Sequence, residues 1–284
     1  MGQALRRIIL SGDARKPAVE AAVADLLPWL RQRAEVVATD LAMDRELEHV
    51  EADLAVILGG DGAILSVARR LGRNQIPAIG VNLGKFGFLA EVSPDQFRER
   101  FDDILAGRYR LSSRMRLACA LWRGGRVAAE HTALNDVVVS RGALSRLVAI
   151  GLVVDGMRTT TYNGDGVIVS TPTGSTAHSL SAGGPVVDPE LAAMVVTPIC
   201  PHTLTNRPVV LPGHRTIELH AEATPVDVGL TVDGQVYQQI AAGDHVIVRR
   251  AASDLKLIDL GLRTYYDTLR EKLHWSGSAL HGHC

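Results

Sequence analysis

Little in this 284-residue chain points to a stapled, charged or membrane-borne protein. There are only three cysteines, Cys119, Cys200 and Cys284, widely spaced and without a Cys-x-x-Cys pair. That usage excludes a disulfide framework and a cysteine zinc site, and it fits a reducing compartment. Aromatic residues make up 4% of the chain, and no basic run has aromatics interleaved, so a stacking surface for nucleic acid is not expected. Thirty basic against thirty-one acidic residues leave a net charge of −1, too little to draw the chain to nucleic acid or an anionic membrane. No apolar run approaches the roughly 20 residues of a membrane span. The opening MGQALRRIIL turns polar at Ser11, too soon for a signal-peptide core. The expectation is a cytoplasmic protein with neither membrane nor nucleic-acid partners. The familiar phosphate motifs are missing too. Gly84-Lys85 is followed by Phe86 rather than Ser or Thr, and neither His-Arg-Asp nor Asp-Phe-Gly occurs.

What is present is a globular composition, 46% hydrophobic and 21% charged, with length enough for two domains. Apolar strands are expected at Ile8–Leu10, around Val36 and Val37, at Leu54–Leu58 and at Ile76–Val81. Between them Pro17–Arg33 and Ala63–Leu71 have helical spacing, with a kink or stop expected at Pro28. Nearly all-apolar strands alternating with helices predict a doubly wound α/β domain over 1–110. From 111 to 254, short strands with turn signals recur, which predicts a β-rich domain of sandwich type. Helical intrusions are expected at Ser175–Ala182 and Pro189–Val196. Residues 255–284 read as a tail with one strand and one helix, packing back on the domains.

The densest chemistry lies in 163–185, NGDGVIVSTPTGSTAHSLSAGGP. After the strand Val167–Val169 come seven hydroxyl residues within twelve: Ser170, Thr171, Thr173, Ser175, Thr176, Ser179 and Ser181. A buried hydroxyl without a partner costs stability, so the run is expected to line a hydrogen-bonding ligand. A second site is Leu58-Gly59-Gly60-Asp61-Gly62, at the carboxyl end of a strand and the start of a helix, where open α/β sheets bind ligands and helix N-termini favour phosphate. Asp61 there is either a helix N-cap or a chemical group, and spacing does not separate the two. Asn135-Asp136 at a strand start suits a ribose or a turn equally. Asp233-Gly234-Gln235 reads first as a hairpin turn. His202, among prolines, reads as a structural hydrogen bonder, and His281 and His283 as a frayed tail.

Taken together, these segments resemble the bacterial NAD kinase family. The resemblance rests on GGDGAIL (59–65), GVNLGKFGFL (80–89), ALNDVVV (133–139), DGVIVSTPTGSTAHSLSAGGP (165–185), PICPHTLTNRPVV (198–210) and VDGQ (232–235), in that order. It implies a Rossmann-like N-terminal α/β domain, an all-β sandwich-type C-terminal domain, and a homodimer or homotetramer with its nucleotide cleft between the domains. The implied reaction moves the terminal phosphoryl group of ATP, or of polyphosphate, to the 2′-hydroxyl of the adenosine ribose of NAD. Asp61 would accept the hydroxyl proton, worth roughly 10²–10⁴ in rate. Gly59, Gly60 and Gly62 would give backbone N–H groups to phosphate. Mg²⁺ would arrive with ATP rather than on protein ligands. The resemblance places NAD contacts at Asp61, Gly62, Asn135, Asp136, Arg146, Asn163, Asp165, Thr176, Ala177, His178, Ser179, Leu180, Ser181 and Gln235. Three residues depart from the family pattern: Ala63 for a usual Thr, His178 for a usual Tyr, and Phe86 for a common Leu. Two other readings share the loop: a regulator that binds NAD(P) without catalysis, and a lipid kinase.

Overall fold

The computed structural model describes residues 6–74, 76–84, 86–90, 92–142, 147–203, 205–222 and 227–275. The chain divides into two compact units: the described parts of Met1–Val67, Ile76–Ser112 and Leu257–Cys284, and those of Ala68–Gln75 with Ser113–Lys256.

The first unit is α/β. Its elements run β1 (Arg7–Gly12), α1 (Pro17–Arg31), β2 (Glu35–Asp40), β3 (Leu54–Leu58), α2 (Asp61–Arg70), β4 (Ala78–Val81), α3 (Pro94–Leu105) and β5 (Arg110–Arg114). β3 is buried at all five residues, as a strand covered on both faces must be. It pairs in parallel with β1 and β4. On one face, Val19, Val23, Leu26 and Leu30 of α1 and Phe97, Phe101 and Ile104 of α3 pack on Ile8, Leu10, Leu54, Val56 and Leu58. α2 takes the other face, where a side chain at Gly80 would meet the Ile64 Cδ1 atom at 2.5 Å. Helix α1 continues three residues past Pro28 to Arg31, so the expected stop is absent. In the last turn proline forfeits only one helical hydrogen bond. α3 opens with a capping box: the Ser93 hydroxyl accepts from Gln96 N at 3.2 Å, and the Gln96 side chain accepts from Ser93 N at 3.0 Å. Ser93→Ala is expected to cost about 1 kcal/mol in a urea melt; no change would show the cap to be idle.

The second unit begins with β6 (Leu117–Arg123), β7 (Arg126–Ala133), β8 (Asp136–Arg141), β9 (Val148–Val154), β10 (Met157–Gly164) and β11 (Gly166–Ser170). After the one-turn helix α4 (His178–Ser181) come β12 (Ala193–Ile199), β13 (Val209–Pro212), β14 (Ile217–Ala221), β15 (Val228–Val232), β16 (Val236–Ile240) and β17 (His245–Arg250). These form two six-stranded sheets, β10-β9-β14-β17-β6-β7 and β13-β12-β11-β8-β15-β16. Alternate residues from both, such as Leu117, Cys119 and Leu121, Val137 and Val139, and Leu230 and Val232, share one core. Burial pushes the Cys119 thiol up to about 12, which leaves it inert. Where a helix was expected at Pro189–Val196, residues from Ala193 onward are strand, with six of the seven residues of β12 buried. The β-branched run Val195-Val196-Thr197 suits a sheet interior better than a helix. Ser175–Ala182 divides into a 3₁₀ turn at Thr173–Thr176 and α4. The chain then returns to the first sheet as β18 (Leu255–Asp259), giving the order β2-β1-β3-β4-β18-β5, and ends its described part with α5 (Tyr265–Lys272). Among the described residues no helix is long and apolar enough to cross a membrane.

Candidate active site

In the first unit, everything centres on Asp61. β3 ends at Leu58, Gly59 turns the chain with φ of 135°, and Asp61 is the first residue of α2. The carboxylate is half-buried. It does not cap its own helix. Instead Oδ2 accepts from Phe88 N at 2.8 Å, and Oδ1 accepts from Leu89 N at 3.0 Å and Ala90 N at 3.2 Å. The GGDG and GKFGFL motifs therefore meet in one clamp. Gly87 is required by it, since a Cβ there would lie 2.2 to 2.5 Å from the carboxylate atoms. A carboxylate has about four lone-pair directions. Three N–H groups fix its orientation and leave Oδ2 one direction for a further donor.

One expectation is corrected here. The N–H of Gly59 is not available to phosphate, because it donates to Val81 O at 2.9 Å and extends the sheet ladder. Gly60 and Gly62 are exposed. Phe86 carries the Arg263 guanidinium over its ring at 5.5 Å, and Phe88 packs against Tyr265 at 6.2 Å. The Arg263–Tyr265 segment and the start of α5 thus cover the loop that clamps Asp61.

In the second unit, the start of β8 is the focus. Asp233 and Gly234 both have positive φ, 51° and 64°, in the turn between β15 and β16, so the hairpin reading holds. The Asp233 side chain does something the sequence did not disclose. Its carboxylate is buried and accepts from Leu134 N at 2.9 Å, Asn135 N at 2.7 Å and Asp136 N at 3.0 Å. Asp233 N in turn donates to Asp136 O at 2.9 Å. Asn135 is half-buried. Asp136 is 4% exposed, and burial, with the Asp233 charge second, raises its carboxyl to about 7. Gln235 is exposed and accepts from the Arg69 guanidinium at 2.8 Å. Arg116 fixes the helix end that carries Arg69, donating to Ala68 O and Gly72 O at 2.8 Å each.

The hydroxyl run behaves differently from expectation. Thr171 Oγ1 donates to Leu134 O at 2.6 Å and accepts from Gly174 N at 3.0 Å. Ser175 Oγ donates to Pro172 O at 2.6 Å and accepts from Val187 N at 3.0 Å, and Ser179 Oγ pairs with Thr197 Oγ1 at 2.9 Å. All three residues are fully buried. The protein itself therefore uses these three hydroxyls. Thr171 and Ser175 satisfy backbone groups around the 3₁₀ turn, and Ser179 satisfies the Thr197 hydroxyl. Thr176 Oγ1 donates to Thr173 O at 3.2 Å. Of the remaining expected contacts, His178 and Ser181 are exposed, while Ala177 and Leu180 are half-buried. Two buried hydroxyls, Ser170 Oγ and Thr173 Oγ1, make no hydrogen bond.

The expected NAD contacts are not all gathered. Asn135, Asp136, Gln235 and the 171–176 segment converge at one end of the sheet. Asn163 and Asp165 precede β11, whose far end, Ser170, pairs with Asp136, so they lie roughly 16 Å away along the strand. There Arg141 Nε donates to Asp165 at 2.6 Å and holds its carboxyl below the usual range. Arg146 lies outside the described residues. No group of three or more His, Cys, Asp or Glu gathers to hold a metal among the described residues.

Residues 16–109 match the family model described as "ATP-NAD kinase N-terminal domain", and 134–260 match "ATP-NAD kinase C-terminal domain". The NAD kinase of Geobacter sulfurreducens is 41% identical over 281 residues, covering 95% of this chain and 99% of its own length. Among solved structures, yeast NADH kinase complexed with NADH aligns with a TM-score of 0.86 and 27% identity, over 97% of this chain and 89% of that one. An NAD kinase from Archaeoglobus fulgidus in complex with ATP aligns with a TM-score of 0.74 and 25% identity, over 94% and 98%. These are phosphotransferases built as an α/β domain and a β-sandwich. The chain belongs to the NAD kinase family.

Proposed function

We propose that this member of the NAD kinase family transfers the terminal phosphoryl group of ATP to the 2′-hydroxyl of the adenosine ribose of NAD, with Asp61 as the group that accepts the hydroxyl proton. The clamped carboxylate carries the proposal, because its one open lone-pair direction on Oδ2 suits a single incoming hydroxyl. A ribose hydroxyl is a weak nucleophile, and phosphoryl transfer asks mainly for alignment and charge stabilisation. Holding the acceptor rigidly supplies the first of these. Gly60 and Gly62 take the phosphate role as the exposed backbone at the positive end of α2. The divalent ion enters as part of MgATP. Asn135 and Asp136 hold the adenosine ribose, and the 176–178 segment with Gln235 contacts the rest of the nucleotide. The regulator and lipid-kinase readings have no support among the relatives. A cytoplasmic homo-oligomer is the proposed setting.

Purified protein incubated with ATP, Mg²⁺ and NAD is expected to form NADP, read by a coupled NADP-specific dehydrogenase. Absence of NADP under saturating substrates would overturn the proposal. The exposed His178 offers a further check. His178→Tyr enlarges the ring available to stack on a base and is expected to tighten NAD binding by roughly 2–10-fold. Unchanged or weaker binding by calorimetry would remove His178 from the contacts.

A further inference from the structure

The start of β8 is a polar corner short of hydrogen-bond partners. Asp233, 8% exposed, takes all three N–H groups of Leu134, Asn135 and Asp136 on its two oxygens. Among the described residues the Asp136 carboxylate accepts no hydrogen bond at all. Its directly paired cross-strand neighbour is Ser170, whose buried hydroxyl also lacks a partner. Thr173, likewise buried with an unpartnered hydroxyl, precedes Gly174, which is pressed on the Asn135 backbone. The Ser170 and Thr173 hydroxyls left in this state cost stability unless something supplies the missing bonds.

We propose that Asp233 is a positioning residue of the nucleotide site: it aims Asn135 and Asp136 while consuming the backbone donors of 134–136, so that the bound nucleotide supplies the hydrogen bond Asp136 lacks and a proton leaves for solvent as it binds. The inference rests on the reading of this corner as an NAD contact and adds its proton linkage.

The charged and titratable groups around the corner come from three elements. The β15–β16 turn supplies Asp233, α2 supplies Arg69, and β7 supplies His131. The β11 end and the turn after it supply only hydroxyls. Burial pushes Asp233 up, and its backbone donors with Arg69 pull it back. Burial, then Arg69, pushes His131 down. Asp136 has no such relief: its causes are burial and the like charge of Asp233, and its neutral form persists to about pH 7. Asp136 is already almost wholly out of water, so a ligand adds little desolvation. A ribose O–H donor is the larger change, and it favours the carboxylate. Binding is therefore coupled to proton loss.

That proton sets the direction of the pH dependence. Below about pH 7 the free protein carries it and must release it to bind, so affinity for NAD weakens about tenfold per unit as pH falls, and it is flat above pH 7. The test is Kd for NAD by calorimetry from pH 5.5 to 8, in wild type, Asp233→Asn and Asp136→Asn. Wild type is expected to show the edge near pH 7, and Asp136→Asn is expected to lose it. Asp233→Asn removes the like charge and is expected to move the edge down by roughly half a unit or more. A merely structural Asp233 would weaken binding by one factor at every pH and leave the edge in place, overturning the proposal. An edge that survives in Asp136→Asn belongs to another group, Asp233 or a histidine, and also overturns it. Should Asp233→Asn fail to fold, wild type at pH 6 in two buffers of different ionisation heat still decides: close to one proton released per NAD supports the linkage, and none refutes it. NAD bound without any edge sinks this inference alone, whereas no NAD binding at any pH sinks the NAD reading itself.

Discussion

Asp61→Asn is expected to lower turnover by roughly 10²-fold or more while leaving the Kd for NAD within a few-fold of wild type. The reason is in the clamp. Two N–H groups converge on Oδ1 and one on Oδ2. An amide keeps the shape and can still accept the pair from Leu89 and Ala90 through its oxygen. Its NH₂ then stands where Oδ2 stood, facing the N–H of Phe88 and presenting a donor where the hydroxyl proton has to go. Such a change removes an interaction that matters as the bond forms and has little effect on ground-state binding. Single-turnover kinetics alongside calorimetry separate the two quantities. Turnover near the wild-type value would take Asp61 out of the proton-accepting role, and loss of NAD binding in step with turnover would make it a binding residue only.

Gly174→Ala is the second large effect. A Cβ at this position would lie 2.1 Å from Asn135 O, 2.5 Å from its carbonyl carbon and 2.6 Å from its Cα. These are backbone atoms that cannot rotate aside. Asn135 is further pinned, since its carbonyl accepts from Thr171 N at 2.8 Å and its N–H is held by Asp233. The added methyl must therefore displace the whole Asn135–Asp136 corner or the turn after β11. The expected cost is about 3 kcal/mol or more, with at least a tenfold loss of NAD affinity in whatever folds. Gly183→Ala is the control. Gly183 has φ of 86°, but a methyl group added there would meet nothing within 4 Å, so only the backbone penalty applies, about 1 kcal/mol. Urea melts of the two variants should differ clearly. Equal stabilities would mean that the contact at Asn135 is not tight.

The sequence exposes some of this architecture and hides the rest for a physical reason. An all-apolar pentad such as Leu54–Leu58 followed by Gly-Gly-Asp-Gly identifies both a central strand and the turn at its carboxyl end, because burial and glycine turns are local properties. The partners of the Asp61 carboxylate lie 27 to 29 residues downstream, and no spacing rule reveals them. Hence only the fold shows that the carboxylate serves another loop rather than capping its own helix. Asp233 shows the same limit. Its turn is visible in Asp-Gly, but its carboxylate serves backbone groups 97 to 99 residues upstream. The hydroxyls of 170–181 read as a ligand lining, yet Ser179 is satisfied by Thr197, eighteen residues on, and only the folded chain shows that pairing. Pro189–Val196 reads as helical although its second half is strand, because a short, wholly buried apolar run carries no usable period.

A structure of the protein with NAD bound decides the role of Asp61 outright. The adenosine 2′-oxygen is expected within about 3.2 Å of Asp61 Oδ2, while the N–H groups of Phe88, Leu89 and Ala90 stay on the same carboxylate. A 2′-oxygen out of reach of that carboxylate, with its proton directed to another group, would contradict the proton-accepting role.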